Sequence, residues 1–328
     1  MDFPAHIKPY LEEIEALMEA DLKREDERVY GMLVPFVKRG GKRIRPALML
    51  LACGAVGGDR KAVVEPAEII ELFHNFTLIH DDVEDDSQFR RGEPTLHITY
   101  GIPIALNSGD ALFNLIWRKL VSLHLPASKL VKLERLYAAA FKRVVDGQGI
   151  ELSWIKNGRF DVSEAEYLEM SGGKTSALLG LACEGGAMCA SGGKRLMKRM
   201  REYGEKMGIA FQIQDDILNL TGDFGKYQKE IGGDISEGKR TLMVVHCLAK
   251  AGEEDRKKLI AILASHSKNK EDIDAAIAIL KGAGSVEYAR RRALRLVSEA
   301  KEALSVLPDS PDKTALLSMA DYVVQREQ

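Results

Sequence analysis

The chain lacks the features that would tie it to a membrane, to nucleic acid or to an oxidising compartment. No apolar run reaches the roughly 18 residues of a spanning helix, and the opening MDFPAHIKPY has no signal-peptide layout. Neither sign of charge dominates. Lys and Arg number 47 against 49 Asp and Glu, a net charge of −2, which excludes the basic field that broad nucleic-acid binding needs. The four cysteines, Cys53, Cys183, Cys189 and Cys247, show no CxxC or Cys/His spacing. They read as buried thiols in a reducing compartment rather than as a disulfide framework or a zinc cluster. Strand patterns are nearly missing too, LHITYG at 96–101 being the one modest candidate. The expectation is a soluble, cytoplasmic protein with no membrane span and no nucleic-acid partner.

What is present is helical periodicity. In EPAEIIELFHNFTLIHDD, Ile69, Leu72, Phe73, Phe76 and Ile79 fall on one broad face, and Pro66 sits in the first turn, where it is tolerated. SKLVKLERLYAAAFKRVVDGQGIEL and KRLMKRMREYGEKMGIAFQIQDDILNL read as further long helices. VSEAEYLEM opens with Ser163 and Glu166 in capping-box spacing. Gly-rich breaks are expected at 39–41, 57–58, 171–173, 191–193 and 221–238. Neither a repeat nor an interdomain linker is visible, so the expected fold is all-α, one domain over residues 1–328.

Two acidic clusters interrupt these helices. Asp81, Asp82, Glu84, Asp85 and Asp86 crowd the end of the first, and Asp215, Asp216 and Asn219 the end of the second. On a helix, positions i and i+4 share a face about 6 Å apart, so Asp81 with Asp85, and Asp82 with Asp86, repel each other. A solvated, frayed helix end is the bland reading; a divalent cation is the compensated one. Mg²⁺ favours carboxylate oxygens and bridges to substrate phosphates. Two such patches facing each other across a helical bundle could hold several ions. A di-iron site would instead want Glu-x-x-His pairs from two helices, and Glu71 with His74 is the one such spacing in the sequence.

Basic motifs suggest the anion. RGGKRIRP brings Lys42, Arg43 and Arg45, and RRGEP brings Arg90 and Arg91. SGGKTS brings Lys174 and Thr175, and KEIGGDISEGKRTL brings Lys229 and Lys239. Arginine forks and adjacent glycines suit phosphate, and with two acidic clusters they point to a diphosphate substrate. SGGKTS is not a P-loop, because Leu168 stands where the first glycine would be and a helix precedes it.

GGKRIRP, HDDVEDDSQFRRGEPTLH, NSGDALF, GGKTSAL, FQIQDDILNLTGD and GGDISEGKRTL together, in this order, resemble the trans-isoprenyl diphosphate synthase (polyprenyl synthetase) family over nearly the whole chain. The resemblance implies a single-domain, isoprenoid-synthase-type helical bundle around a deep central cavity, usually homodimeric. It implies Mg²⁺, three ions per site with Mn²⁺ as a substitute, held by Asp81 and Asp85 with Asp82 in support, and by Asp215 with Asp216 and Asn219. Lys42, Arg45, His74 and Arg91 match the isopentenyl diphosphate site. Arg90, Lys174, Thr175, Gln212, Lys229 and Lys239 match the allylic diphosphate site, with Lys174, Arg90 and Lys229 assisting departure of its diphosphate. Asn219 departs from the usual third Asp, and Glu84 from a common apolar residue.

The implied reaction is ionisation of an allylic diphosphate, head-to-tail attack by isopentenyl diphosphate, and loss of a proton, for which the released diphosphate is the expected base. The residues four and five before Asp81 are Thr77 and Phe76, and Phe76 lies about 7–8 Å along the helix axis from it. A lone aromatic at that place resembles archaeal-type geranylgeranyl diphosphate synthases. Geranylgeranyl diphosphate is therefore the expected product of this step in isoprenoid biosynthesis, with farnesyl or mixed farnesyl/geranylgeranyl products as the alternative. A terpene cyclase would not need Lys42, Arg45 and His74. A non-catalytic partner subunit would be expected to lack intact aspartates.

Overall fold

The computed structural model describes residues 3–221 and 232–325. Their regular structure is helical apart from one two-stranded ribbon. The chain divides into two compact units, neither of them contiguous in sequence: Met1–Ala138 with Leu181–Arg201 and Val306–Leu316, and Ala139–Gly180 with Glu202–Ser305 and Leu317–Gln328.

The first unit opens with α1 (Lys8–Arg24), α2 (Glu27–Tyr30), α3 (Leu33–Lys38) and α4 (Ile44–Ala55). Next come α5 (Val64–Glu84), the ribbon β1 (Phe89–Arg90) and β2 (Glu93–Pro94), α6 (Leu96–Tyr100) and α7 (Ile102–Val121). α5 is its spine, packed on α1, α4 and α7. Pro66 to Phe73 are buried all round, so the two acids among them, Glu68 and Glu71, need partners. Lys119 Nζ stands 3.0 Å from Glu68 Oε2, and Arg43 Nη1 donates to Glu71 Oε1 at 2.9 Å. Burial still lifts the Glu68 carboxyl to about 7, against the pull of Lys119. The expected strand at 96–101 is instead α6, ended by Gly101 at φ +87°. The strands lie just before it, joined by Arg91 and Gly92, which both adopt positive φ. That is the backbone a two-residue hairpin requires, but Arg-Gly is a weaker signal of it than Asn-Gly.

The remaining helices are α8 (Ala127–Lys156), α9 (Glu164–Ser171), α10 (Ala177–Cys189), α11 (Lys194–Thr221) and α12 (Gly233–Ser236). They are followed by α13 (Leu242–Lys250), α14 (Glu253–Ser265), α15 (Lys270–Gly282), α16 (Ser285–Ala303) and α17 (Pro311–Gln325). Within the second unit α13 packs on α9 and α16, and α15 on α14 and α16. The capping box is present: Glu166 N–H donates to Ser163 Oγ at 3.3 Å and Ser163 N–H to Glu166 Oε2 at 2.9 Å. The break expected at 171–173 does not occur. The chain stays helical there, widening to a π turn over Gly172–Ser176. Its glycines serve close approach: a Cβ on Gly147 of α8 would lie 2.2 Å from Lys174 N, and one on Gly173 2.6 Å from Arg143 O. All four cysteines are free and buried, and burial pushes the thiols of Cys53 and Cys189 up to about 12 and about 11.

Candidate active site

The first acidic cluster is the C-terminal end of α5. Asp81 and Asp82 lie in its last turns and Asp85 caps it. Asp86 follows in a left-handed conformation, φ +50°. A helix C-terminus already carries partial negative charge, so acids there repel both one another and the dipole. Asp82 is 1% exposed. Its Oδ1 accepts from Arg90 Nε at 2.8 Å, while its buried Oδ2 has no hydrogen-bond partner among the described residues. Burial raises its carboxyl, opposed chiefly by Arg90. Sequence reasoning passed over His97. Its Nδ1 is 3.2 Å from Thr95 Oγ1, and its buried Nε2 lies 3.9 Å from Asp86 Oδ1.

The same unit gathers arginines around His74. Its ribbon delivers Arg90 and Arg91, and the α3–α4 loop and the start of α4 deliver Lys42 and Arg45. Arg45 Nε and Arg91 Nη1 are buried without partners among the described residues. His74 on α5 is held well below the ordinary histidine range, first by burial and then by Arg45, Arg91, Arg90 and Arg43, so the ring is neutral near pH 7. Burial and the neighbouring arginines also bring Arg91 down to about 10, against the pull of Glu71. Unpartnered guanidinium nitrogens around a neutral imidazole fit an anionic group. Arg43 does not share this state. Its Nε donates to Glu15 at 2.8 Å, Nη1 to Glu71, and Nη2 to Val37 O at 2.9 Å.

Away from the acids, Phe76 joins an aromatic cluster. Its ring centroid is 5.4 Å from Phe73, 5.0 Å from Phe113 and 4.7 Å from His80. Trp117 meets Phe113 edge-on at 6.3 Å. Thr77 turns its hydroxyl inward to His74 O, 2.8 Å away.

The second cluster ends α11, in the other unit. Asp215 is half-buried, and Asp216 and Asn219 are buried. Asp216 Oδ2 accepts from the Tyr167 hydroxyl at 2.9 Å and Oδ1 from Gln212 Nε2 at 2.8 Å. Burial, then Asp234, pushes the Asp216 carboxyl well above its usual range. Asn219 Oδ1 accepts from Asp234 N–H at 3.1 Å. The π turn presents Lys174, paired with Glu151 of α8, and Thr175, whose Oγ1 is 2.7 Å from Gln212 Oε1. Lys239 Nζ is 3.8 Å from Asp234 and pairs with Glu237. Lys229 lies outside the described residues. Glu151 and Tyr167 escaped sequence reasoning, because each reaches its partner only through helix packing.

Among the described residues, no three His, Cys, Asp or Glu side chains form a metal cage by themselves. The donors at the two helix ends are nonetheless all oxygen, and beside its pairing with Arg90 the Asp82 carboxyl keeps a buried Oδ2 with no hydrogen-bond partner among the described residues. Both fit Mg²⁺, which takes few protein ligands and completes its shell with water and substrate phosphate. Among the described residues no helix is long and apolar enough to cross a membrane.

A family model described as polyprenyl synthetase matches residues 26–280. The chain is 41% identical over 293 residues to a short chain isoprenyl diphosphate synthase from Methanothermobacter thermautotrophicus, covering 89% of this chain and 88% of that one. It superposes on the crystal structure of a geranylgeranyl pyrophosphate synthetase from Pyrococcus horikoshii with a TM-score of 0.92, at 35% identity and 98% coverage of each chain. Against a Caulobacter crescentus polyprenyl synthase complexed with calcium and isoprenyl diphosphate, the TM-score is 0.91 at 28% identity, covering 98% of this chain and 96% of that one. The protein is a prenyltransferase with the isoprenoid synthase fold. It belongs to the polyprenyl synthetase family, as a short-chain trans-prenyl diphosphate synthase.

Proposed function

We propose that the enzyme makes geranylgeranyl diphosphate by head-to-tail condensation of isopentenyl diphosphate with allylic diphosphates. The observation that carries this reading is Phe76, five residues before Asp81 and braced by Phe73 and Phe113. Lys42, Arg45, His74 and Arg91 hold the diphosphate of isopentenyl diphosphate, the two arginines through their unpartnered nitrogens. Arg90, Lys174, Thr175, Gln212 and Lys239 serve the allylic diphosphate; Lys229, assigned to the same group, lies outside the described residues. Asp81, Asp85 and Asp215 are the direct Mg²⁺ ligands, supported by Asp82, Asp216 and Asn219. Mg²⁺, when bound, offsets charge on the departing diphosphate. Arg90 and Lys174 add fixed positive charge at the same group, and the aromatic cluster keeps water from the allylic cation. The working form is a homodimer, a reading supported by exposed Ile98, Tyr100, Ile102, Ile104 and Leu106 on α6, α7 and the turn between them.

The test is to incubate the enzyme with isopentenyl diphosphate and each allylic primer in turn and to size the products. Geranylgeranyl chains are expected, and mainly longer chains would overturn the assignment. Phe76→Ala is expected to lengthen the product, and an unchanged length would remove Phe76 from the argument.

A further inference from the structure

Lys239 and Arg240 are neighbours in the stretch between α12 and α13, yet only Arg240 is buried away from every acid. It is 3% exposed and forms no ion pair among the described residues. A guanidinium buried that way is unfavourable unless other groups meet its charge. Backbone carbonyls do so. Nε donates to Arg159 O at 2.8 Å, Nη1 to Gly238 O, and Nη2 to Trp154 O at 3.4 Å, while the Phe160 ring centroid lies 4.0 Å from the guanidinium carbon. Trp154 stands in the last turn of α8, where carbonyls lack partners within the helix and carry the negative end of its dipole. The planar fork thus ties together the end of α8, the loop after it and the stretch that carries Lys239. The far side of that stretch is pinned as well. Gly238 takes φ +69°, and a Cβ there would lie 2.9 Å from Leu263 O of α14. Lys239 N–H donates to Asp234 O at 2.9 Å. The helix to which Lys239 is fastened also carries Glu151, the partner of Lys174.

We propose that Arg240 is a positioning residue for the allylic diphosphate: it clamps the Gly238–Thr241 stretch to the end of α8 and so sets Lys239 in register with Lys174. This rests on the reading of Lys239 as a ligand of that diphosphate. Arg240 itself spends its nitrogens on carbonyls and acts through Lys239.

The experiment is initial-rate kinetics of the full chain, with geranyl diphosphate varied at saturating isopentenyl diphosphate, and the reverse. Arg240→Met keeps the length of the side chain and loses every N–H. It is expected to raise KM for geranyl diphosphate about tenfold, the worth of one charge-assisted hydrogen bond. KM for isopentenyl diphosphate should stay within about twofold of wild type. Lys239→Ala should raise the same KM, and the double variant should raise it no further than Lys239→Ala alone, because both lose one contact. A loss of packing alone would lower kcat with both KM values unchanged, or raise both together. Either result, or additive losses in the double variant, would overturn the proposal. Should Arg240→Met fail to fold, Arg240→Lys keeps the charge without the fork and is expected to show the same split to a smaller degree; wild-type KM values for it would overturn the clamp. Lys239→Ala with a wild-type KM for geranyl diphosphate would overturn the reading of Lys239 itself. That result is distinct from failure of the clamp, which leaves Lys239→Ala impaired and Arg240→Met not.

Discussion

Arg43 and Arg45 stand two residues apart and are held in opposite states. Arg43 spends its guanidinium on Glu15, Glu71 and Val37 O, whereas Arg45 keeps a buried Nε without a partner. The sequence RGGKRIRP offers no way to tell them apart, since the distinction is made by acids on α1 and α5. Arg43→Ala should strand Glu71 as an unpaired buried carboxylate and cost about 3–5 kcal/mol. Arg45→Ala should leave the melting temperature unchanged or slightly raised. It should also raise KM for isopentenyl diphosphate roughly 10- to 100-fold, the worth of a charge-assisted hydrogen bond. Thermal melts and initial rates on both variants check the contrast, and matching phenotypes would refute it. Phe76 was legible for a different reason: its offset from Asp81 is counted along one helix, whereas its contact with Phe113 on α7 needed the fold.

At the scale of elements, what could be read was local. The i, i+4 acids, the capping box at Ser163 and the Pro66 helix start all concern residues within one or two turns of each other, and each is present. The glycines at 172–173 misled because glycine marks both a stop and a close crossing, and only the neighbour decides which. Here the neighbour is Gly147. Gly147→Ala would drive its Cβ into the backbone at Lys174, so a loss of about 1–3 kcal/mol or more is expected, together with lower activity as Lys174 shifts. Gly149→Ala, on the same helix with nothing within 4 Å of the added Cβ, should instead stabilise by up to about 1 kcal/mol. Denaturant titration of the two variants separates these signs, and a stabilised Gly147→Ala would refute the crossing argument.

For the whole molecule, fold class followed from periodicity alone, but the interleaved division of the chain did not, since no linker or change of composition marks it. That division sorts the proposed binding groups: Lys42, Arg45, His74 and Arg91 all belong to one unit, and the allylic set apart from Arg90 belongs to the other. Residues 96–109 contain no Lys, Arg, Asp or Glu, in a chain 29% charged, which suits self-association about a two-fold axis. Sedimentation at twice the 36.3 kDa of one chain is expected, falling to 36.3 kDa for Ile102→Asp with Leu106→Asp. Wild-type protein running as a single chain would refute the dimer. The buried thiols carry a practical consequence. With Cys53 and Cys189 raised to about 12 and about 11, almost no thiolate exists at neutral pH, and all four sulfurs are shielded from reagents. The native chain is thus a silent background for maleimide chemistry, on which one cysteine placed at exposed Val145 would carry a fluorophore without any of the natural four first being removed.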